Sequence, residues 1–289
     1  MTRGRAVALM LAAPVLWSSA GVITRHIERA EAFEQVLWRS FFAFAFVAGF
    51  LIFTGRNPLQ AMRSAGAAGV FSGAMWAVMY TAFIFALSLT TTANTLVMMS
   101  ISPLLTVVCA RIVLTDPIPL RTWIAALAAM AGIAVMFGFS ADEDSRHVGG
   151  MLIALAIPIA SALNVVALRA HAARVDLVPA VMLGGLVSSL IALPLALPIS
   201  ASGQDLVLLA FLGFFQLGLP CVLLVIASRT LLAPEIALIG LLEVVLGPLW
   251  AWLGAGETPA RATLVGGAMV LAALASNEFA ALRRRVSPA

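Results

Sequence analysis

The sequence predicts an all-α integral membrane protein of ten transmembrane helices, built as two inverted five-helix repeats with both termini cytoplasmic. Composition is the first observation behind this: 62% of the 289 residues are hydrophobic, 10% are charged, and the mean hydropathy is +1.07. A soluble chain of this size carries about 25% charged residues. Segment length is the second, because the apolar runs are repeatedly long enough to cross a bilayer. The third is an internal repeat.

Crossing ~30 Å of hydrocarbon takes about 20 apolar residues. Runs of that size fall at 6–24, 36–54, 65–87, 93–113, 121–139, 149–168, 177–198, 205–227, 233–253 and 262–281. Ser88–Thr92 is the tightest joint, and Ala141–His147, with Asp142, Glu143 and Asp144, is the most acidic. This divides the chain into a first repeat over 1–140, an extracytoplasmic linker over 141–148, and a second repeat over 149–289. The opening run, with Arg3 and Arg5 ahead of it and Ser18-Ser19-Ala20 behind, imitates a signal peptide. Cleavage is not expected, because the second half has an uncleaved counterpart at 149–168.

The repeat is read from matched spacings. Ser102 and Asp116 lie 14 residues apart, as do Glu243 and Glu257, and each pair frames the end of one apolar helix and the following turn. Pro14, Val22 and Arg25 fall on Pro158, Val166 and Arg169 at an offset of 144, which shrinks to 141 at Ser102 and Glu243. Five spans per half is an odd number, so the halves sit in opposite orientations. Inverted repeats of this kind typify secondary transporters, whose site lies near the midplane between the repeats.

Orientation follows from the arginines, since the chain has no lysine. With the N-terminus inside, twelve lie at inner ends (Arg3, Arg5, Arg56, Arg63, Arg111, Arg121, Arg169, Arg174, Arg229, Arg283, Arg284, Arg285) and four outside (Arg25, Arg29, Arg146, Arg261). That asymmetry puts both termini in the cytoplasm; the chain is expected as a multi-pass protein of a bacterial inner membrane. A pI near 10.4 does not point to nucleic acid, because the arginines are scattered over the loops. Cys109 and Cys221 fall inside apolar helices, where a disulfide is not expected, and His26, His147 and His171 are too dispersed for a metal site. No cofactor is expected. Gly69/Gly73 and Ala128/Gly132 allow close helix packing, read as contacts within a monomer rather than a dimer face.

Ionisable groups at membrane depth cost roughly 2.5–3.5 kcal/mol at a helix centre and so mark function or pairing. Glu243 is read as the one at mid-span, either a contact for a substrate amine, a proton-coupling carboxylate, or interhelical glue. Glu235 is read as solvated or as a first-turn charge, and Arg39, near the outer end of span 2, as able to snorkel. Span 3 carries Ser72, Trp76 and Tyr80 at i, i+4 spacing with Phe83 one turn on, a face suited to an aromatic substrate or to helix packing. Span 4 carries Asn94, Met98 and Ser102 at the same spacing, with methionine as a deformable lining. Trp17, Ser18, Ser161, Asn164 and Gln216 complete the candidate substrate-binding set. Pro14 and Pro158 occupy equivalent places in spans 1 and 6 and are candidate gating kinks, with a static bend as the alternative.

The stretch 86–138, with Ser102-Pro103, Thr115-Asp116-Pro117, Arg121-Thr122-Trp123 and a Gly132-ended helix, resembles the EamA repeat of the drug/metabolite transporter superfamily. The copy at 227–277, with Glu243 and Gly256-Glu257, looks like its second repeat, and Trp17-Ser18 resembles the family's opening helix. Members often have Glu-Pro where this chain has Glu243-Val244, and Gly-Glu where it has Thr115-Asp116. The ten helices, short loops and Glu243-Val244-Val245 variant are most like the YddG-like aromatic amino acid exporter branch. The resemblance implies export of aromatic and other neutral amino acids by alternating access through a central cavity. Efflux of drugs or another small metabolite by the same fold is the alternative. An enzyme is disfavoured, with no His-Glu-x-x-His or Gly-x-Ser-x-Gly pattern, and so is a channel, with no filter motif. A phosphorylated cargo would need a buried arginine or lysine; none is read at mid-span, which favours a zwitterionic or neutral one.

Overall fold

The computed structural model describes residues 1–24, 26–90, 95, 98–114, 118–137, 145–255 and 261–286. Arg25, Asn94, Thr115, Asp116, Gly256, Glu257 and linker residues 141–144 lie outside them. Every regular element among the described residues is a helix. In chain order these are α1 (Arg3–Trp17), α2 (Ala20–Thr24), α3 (Ala32–Phe53), α4 (Pro58–Leu89), α5 (Ser102–Val113), α6 (Leu120–Phe137), α7 (Ser145–His171), α8 (Val178–Ala192), α9 (Gly203–Phe211), α10 (Leu219–Ala227), α11 (Ala233–Gly240), α12 (Leu242–Ala255) and α13 (Arg261–Val286). A 3-10 turn, Leu193–Leu195, closes α8, and a π-helical segment, Leu212–Gly218, joins α9 to α10. Six segments are long and apolar enough to cross a membrane: Arg3–Thr24, Ala32–Phe53, Pro58–Leu89, Gly149–His171, Val178–Leu195 and Gly203–Ala227. Ser102–Val113, Leu120–Val135 and Leu264–Asn277 are shorter apolar helices. Large apolar side chains such as Ile112, Leu127, Leu152 and Val207 stand exposed on the outside of the bundle. In water that surface would aggregate; against lipid it is matched.

Local chemistry accounts for most helix ends. Asn57 accepts from the amides of Leu59 and Gln60, and Pro58 at the first position sacrifices no bond. Ser202 and Asp205 form a reciprocal capping box that starts α9. After α1, the hydroxyls of Ser18 and Ser19 turn back onto the carbonyls of Val15 and Leu16, and the helix breaks before α2. Gly66, at φ 56°, interrupts α4 in a conformation that β-carbon residues avoid. Pro220 cannot donate to the carbonyl of Gln216, and the π-helical turn lies just ahead of it.

Two further breaks fall at corresponding places. The chain turns at Ser100–Ile101 before α5, with the Ile101 amide on the carbonyl of Met98 (3.3 Å). It turns again at Leu241 before α12, with the Leu241 amide on the carbonyl of Leu238 (3.1 Å). Ser102 and Glu243 therefore sit in the first turns of the helices that follow these breaks. Glu243 is not midway along an unbroken helix, as the sequence suggested, but at the start of α12.

Packing is close wherever glycine permits it. α8 lies against both α3 and α4, α4 also against α7, α1 against α10, and α6 against α13. A β-carbon on Gly184 would stand 2.3 Å from Trp76 Cβ, and one on Gly213 would stand 2.3 Å from Phe42 Cβ and 2.7 Å from the Arg39 carbonyl. Gly73 meets Leu183 of α8, and Gly132 meets Gly266 and Val270 of α13. Of the small-residue positions read from the sequence, Gly73 and Gly132 thus close contacts between helices, whereas Gly69 meets only Ala65 and Met62 of its own helix. Hydroxyl and amide bonds stitch the same interfaces: Ser40 to Ser188 and Thr81 to Ser188 (3.0 Å each), and Thr122 to Asn277 (3.1 Å).

Charges concentrate at the two ends. At one, Glu34 accepts from Ser200 and the Ala201 amide, and Asp205 accepts from the amides of Glu28 and Arg29. At the other, Arg3 grips Glu235 bidentately (2.8 and 2.9 Å), and Asp176 joins Arg56 to Arg229. Glu235 does occupy the first turn of α11, but it is buried and paired rather than solvated. Partial burial pushes the Asp176 carboxyl up. The Val178 amide and the Arg56 and Arg229 guanidiniums outweigh that and hold it below the usual carboxylate range.

Candidate substrate cavity

The helix breaks and the glycine contacts leave a cavity of about 150 Å³ in the middle of the bundle. α4 supplies one wall with Trp76, Met79, Tyr80 and Phe83, residues that share a helical face. The Trp76 and Tyr80 rings stand 5.7 Å apart. α7 faces them with Ile157, Pro158, Ser161, Asn164 and Val165. Trp17, at the end of α1, and Ser102, at the start of α5, come from the same half as α4. The π-helical segment contributes Gln216 and Leu217, α10 contributes Cys221 and Leu224, and α12 contributes Glu243.

Of the candidate residues, the structure brings together Trp17, Trp76, Tyr80, Ser102, Ser161, Asn164, Gln216 and Glu243, with Pro158 beside them. Four others stand off the wall. Ser72 is fully buried behind it, where its hydroxyl donates to Asn164 Oδ1 at 2.6 Å. Ser18 donates to the Val15 carbonyl and accepts from Trp250 Nε1 at 2.8 Å, which ties α12 to the end of α1. Met98 gives way to Met99, which is the methionine on the cavity wall. Pro14 is buried within α1 and is not among the lining residues.

One residue requires a correction. Arg39, expected to snorkel outward from span 2, is 3% exposed and lines the cavity. Its guanidinium carbon lies 5.9 Å from the centroid of the Phe83 ring. A buried arginine, which the sequence did not offer at mid-span, therefore does line the cavity. The signal was present in the sequence: Arg39 follows Val36, Leu37 and Trp38 and, after Ser40, precedes a run from Phe41 to Phe53 without a polar side chain, so outward exposure would have placed a charge against lipid. Cys221 was also missed; it accepts from the Tyr80 hydroxyl at 3.2 Å, and a thiol in an apolar helix carries little sequence signal.

The polar groups of the cavity fall into two kinds. Some are spent on the protein: Ser102 donates to Ser161 (3.4 Å), Tyr80 to Cys221, and Gln216 Nε2 to the Trp17 carbonyl (3.3 Å). Others are buried without any hydrogen-bond partner: Arg39 Nε, Trp76 Nε1, Asn164 Nδ2 and Gln216 Oε1. Among the described residues, neither Arg39 nor Glu243 forms an ion pair, with each other or with anything else. No cluster of three or more candidate metal ligands occurs among them.

No curated protein matches the sequence. A solved structure, titled only as the crystal structure of a protein, superposes with a TM-score of 0.84 at 19% identity, covering 99% of this chain and 100% of that one. At that identity the likeness carries the fold alone. Residues 4–138 match the EamA-like transporter family. That match covers just under half of the chain; with six helices long and apolar enough to cross a bilayer, it supports a multi-pass membrane protein whose first half is similar to a transporter family.

Proposed function

We propose that this protein is a transporter that exports neutral amino acids, aromatic ones included, across the bacterial inner membrane by alternating access. The observation that carries the reading is the cavity itself: aromatic walls from Trp17, Trp76, Tyr80 and Phe83 enclose a carboxylate, Glu243, that has no partner among the described residues. Aromatic faces suit an aromatic or aliphatic side chain, and a free carboxylate suits an ammonium group.

The wider architecture agrees with this reading. The wall draws on residues from both sides of the 141–148 linker, as a site between two inverted five-helix repeats would. The matched breaks before Ser102 and Glu243 are what such a repeat produces. On this reading ten helices cross the membrane, and the end that carries Arg3, Arg56 and Arg229 faces the cytoplasm, as do both termini. Pro14 and Pro158 supply the bends of helices that move. A single chain encloses the cavity, so a monomer suffices, with the lipid bilayer as its environment and no nucleic-acid partner or cofactor.

Purified protein in proteoliposomes, assayed for uptake of radiolabelled phenylalanine, tryptophan, leucine and threonine with and without a pH gradient, tests the proposal. Uptake of the amino acids well above empty vesicles is expected. Movement of a lipophilic dye with no uptake of any amino acid would replace this reading with multidrug efflux.

A further inference from the structure

The unpartnered atoms of the cavity sort by hydrogen-bonding sense. Arg39, Trp76 Nε1 and Asn164 Nδ2 can only donate. Gln216 Oε1 and the Glu243 carboxylate accept. The free ends of the two amides are fixed by what holds their other ends, because Asn164 Oδ1 takes the Ser72 hydroxyl and Gln216 Nε2 is committed to the Trp17 carbonyl. The Tyr80 hydroxyl is directed to Cys221 and does not compete.

Three buried donors cannot satisfy one another, and buried polar groups in a folded protein are ordinarily bonded. A buried guanidinium with neither ion pair nor hydrogen bond is costlier still. The pattern is what a site presents when the ligand supplies the missing partners. A carboxylate accepts through two oxygens, each with room for more than one donor, and matches a guanidinium bidentately. An ammonium only donates and fits the two acceptors. One arginine and one glutamate also leave the cavity with no net charge, which complements a cargo with no net charge. A phosphorylated cargo would bring surplus negative charge against Glu243.

Resting on the amino acid reading above, we infer that Arg39, with Trp76 Nε1 and Asn164 Nδ2, receives the α-carboxylate of the substrate while Gln216 Oε1 and Glu243 receive its ammonium. The cavity thus selects for the intact zwitterion, and the aromatic wall then accommodates the side chain. Arg39 becomes the residue that separates amino acids from the corresponding amines.

Binding to the full-length purified chain in detergent, with tryptophan, tryptamine and indole-3-propionate as probes, tests this. Losing a charge-assisted pair in a buried site weakens binding by about 10- to 100-fold. The wild type should therefore bind tryptophan at least tenfold more tightly than either analogue. Arg39→Gln should weaken tryptophan binding at least tenfold without weakening that of tryptamine, with Arg39→Lys intermediate for tryptophan. Size-exclusion elution and tryptamine binding report that the variants are folded. Equal wild-type affinity for tryptophan and tryptamine would overturn the inference while leaving amino acid export standing. So would equal weakening of both by Arg39→Gln and Arg39→Lys. Binding of inorganic phosphate or a lipophilic cation with none of tryptophan would overturn the inference and the export reading together.

Discussion

Arg3 and Glu235 form a bidentate ion pair, at 2.8 and 2.9 Å, between the first turn of α1 and the first turn of α11, with side chains 11% and 7% exposed. Glu235 also accepts from the Leu232 amide at 3.1 Å, so one carboxylate both starts α11 and anchors α1 to it. Removing one member of a largely buried pair strands the other, at a cost of about 3 kcal/mol. Arg3→Ala should lower the melting temperature in detergent clearly, and Arg3→Ala with Glu235→Gln should cost less than the two singles summed. Strictly additive losses would mean that the pair contributes no coupling.

Asp176 holds two arginines from different loops, Arg56 and Arg229, and its carboxyl sits below the ordinary range. A depressed folded pKa stabilises the protein above the unfolded value of about 3.9, and this contribution is lost as pH falls through the folded pKa. Part of the pair is solvent-screened, so about 1 kcal/mol is the scale. Wild type should melt above Asp176→Asn at pH 6, and the gap should close below about pH 4. A gap independent of pH would assign the effect to packing rather than charge.

The apolar runs were legible in the sequence because hydropathy depends on composition within each segment, and all six long helices overlap predicted spans. The breaks were less so. Span 9 reads as one apolar stretch from Ala233 to Leu253, yet it divides at Leu241 in a segment with Gly240 as its sole local breaker. The aromatic face of α4 was visible as an i, i+4 pattern, but that pattern cannot tell Ser72, turned toward Asn164, from Trp76 on the cavity wall. Arg39 was misjudged because its place near the end of span 2 was weighed and its apolar neighbours were not; which way the helix faces is fixed only in three dimensions. Gly213 and Gly185, which let α3 press against the π-helical segment and α8, set that rotation, and they contact it only in three dimensions.

Orientation is checked by labelling. In a Cys109→Ser background, a cysteine at Ser145 should react with a membrane-impermeant maleimide added to intact cells, and a cysteine at Arg174 should react only after the cells are opened. The reverse pattern would invert the proposed topology.

Trp76 stacks beside Tyr80 on the wall, with its Cβ against Gly184. Aromatic pairing adds about 0.5–1.5 kcal/mol to plain burial. Trp76→Ala should therefore reduce uptake of tryptophan and phenylalanine about tenfold or more, and that of threonine by far less. Equal loss for all substrates, with less protein in the membrane, would make Trp76 a packing residue.

Glu243 separates three mechanisms. It stands in the first turn of α12, lines the cavity and forms no hydrogen bond or ion pair among the described residues. Glu243→Gln keeps the shape and can still accept and donate hydrogen bonds, but it cannot ionise. If Glu243 carries a coupling proton, the variant should still bind substrate and run counterflow exchange, while accumulation driven by a pH gradient disappears. If it only receives the substrate ammonium, binding and exchange should weaken together, by about 10- to 100-fold and at every pH, as expected for loss of a charge-assisted bond. A third role, as interhelical glue, finds no hydrogen-bond or ion-pair partner among the described residues, and for it glutamine would be nearly silent in both assays. A silent variant would remove Glu243 from the site and with it the ammonium end of the proposed zwitterion pocket.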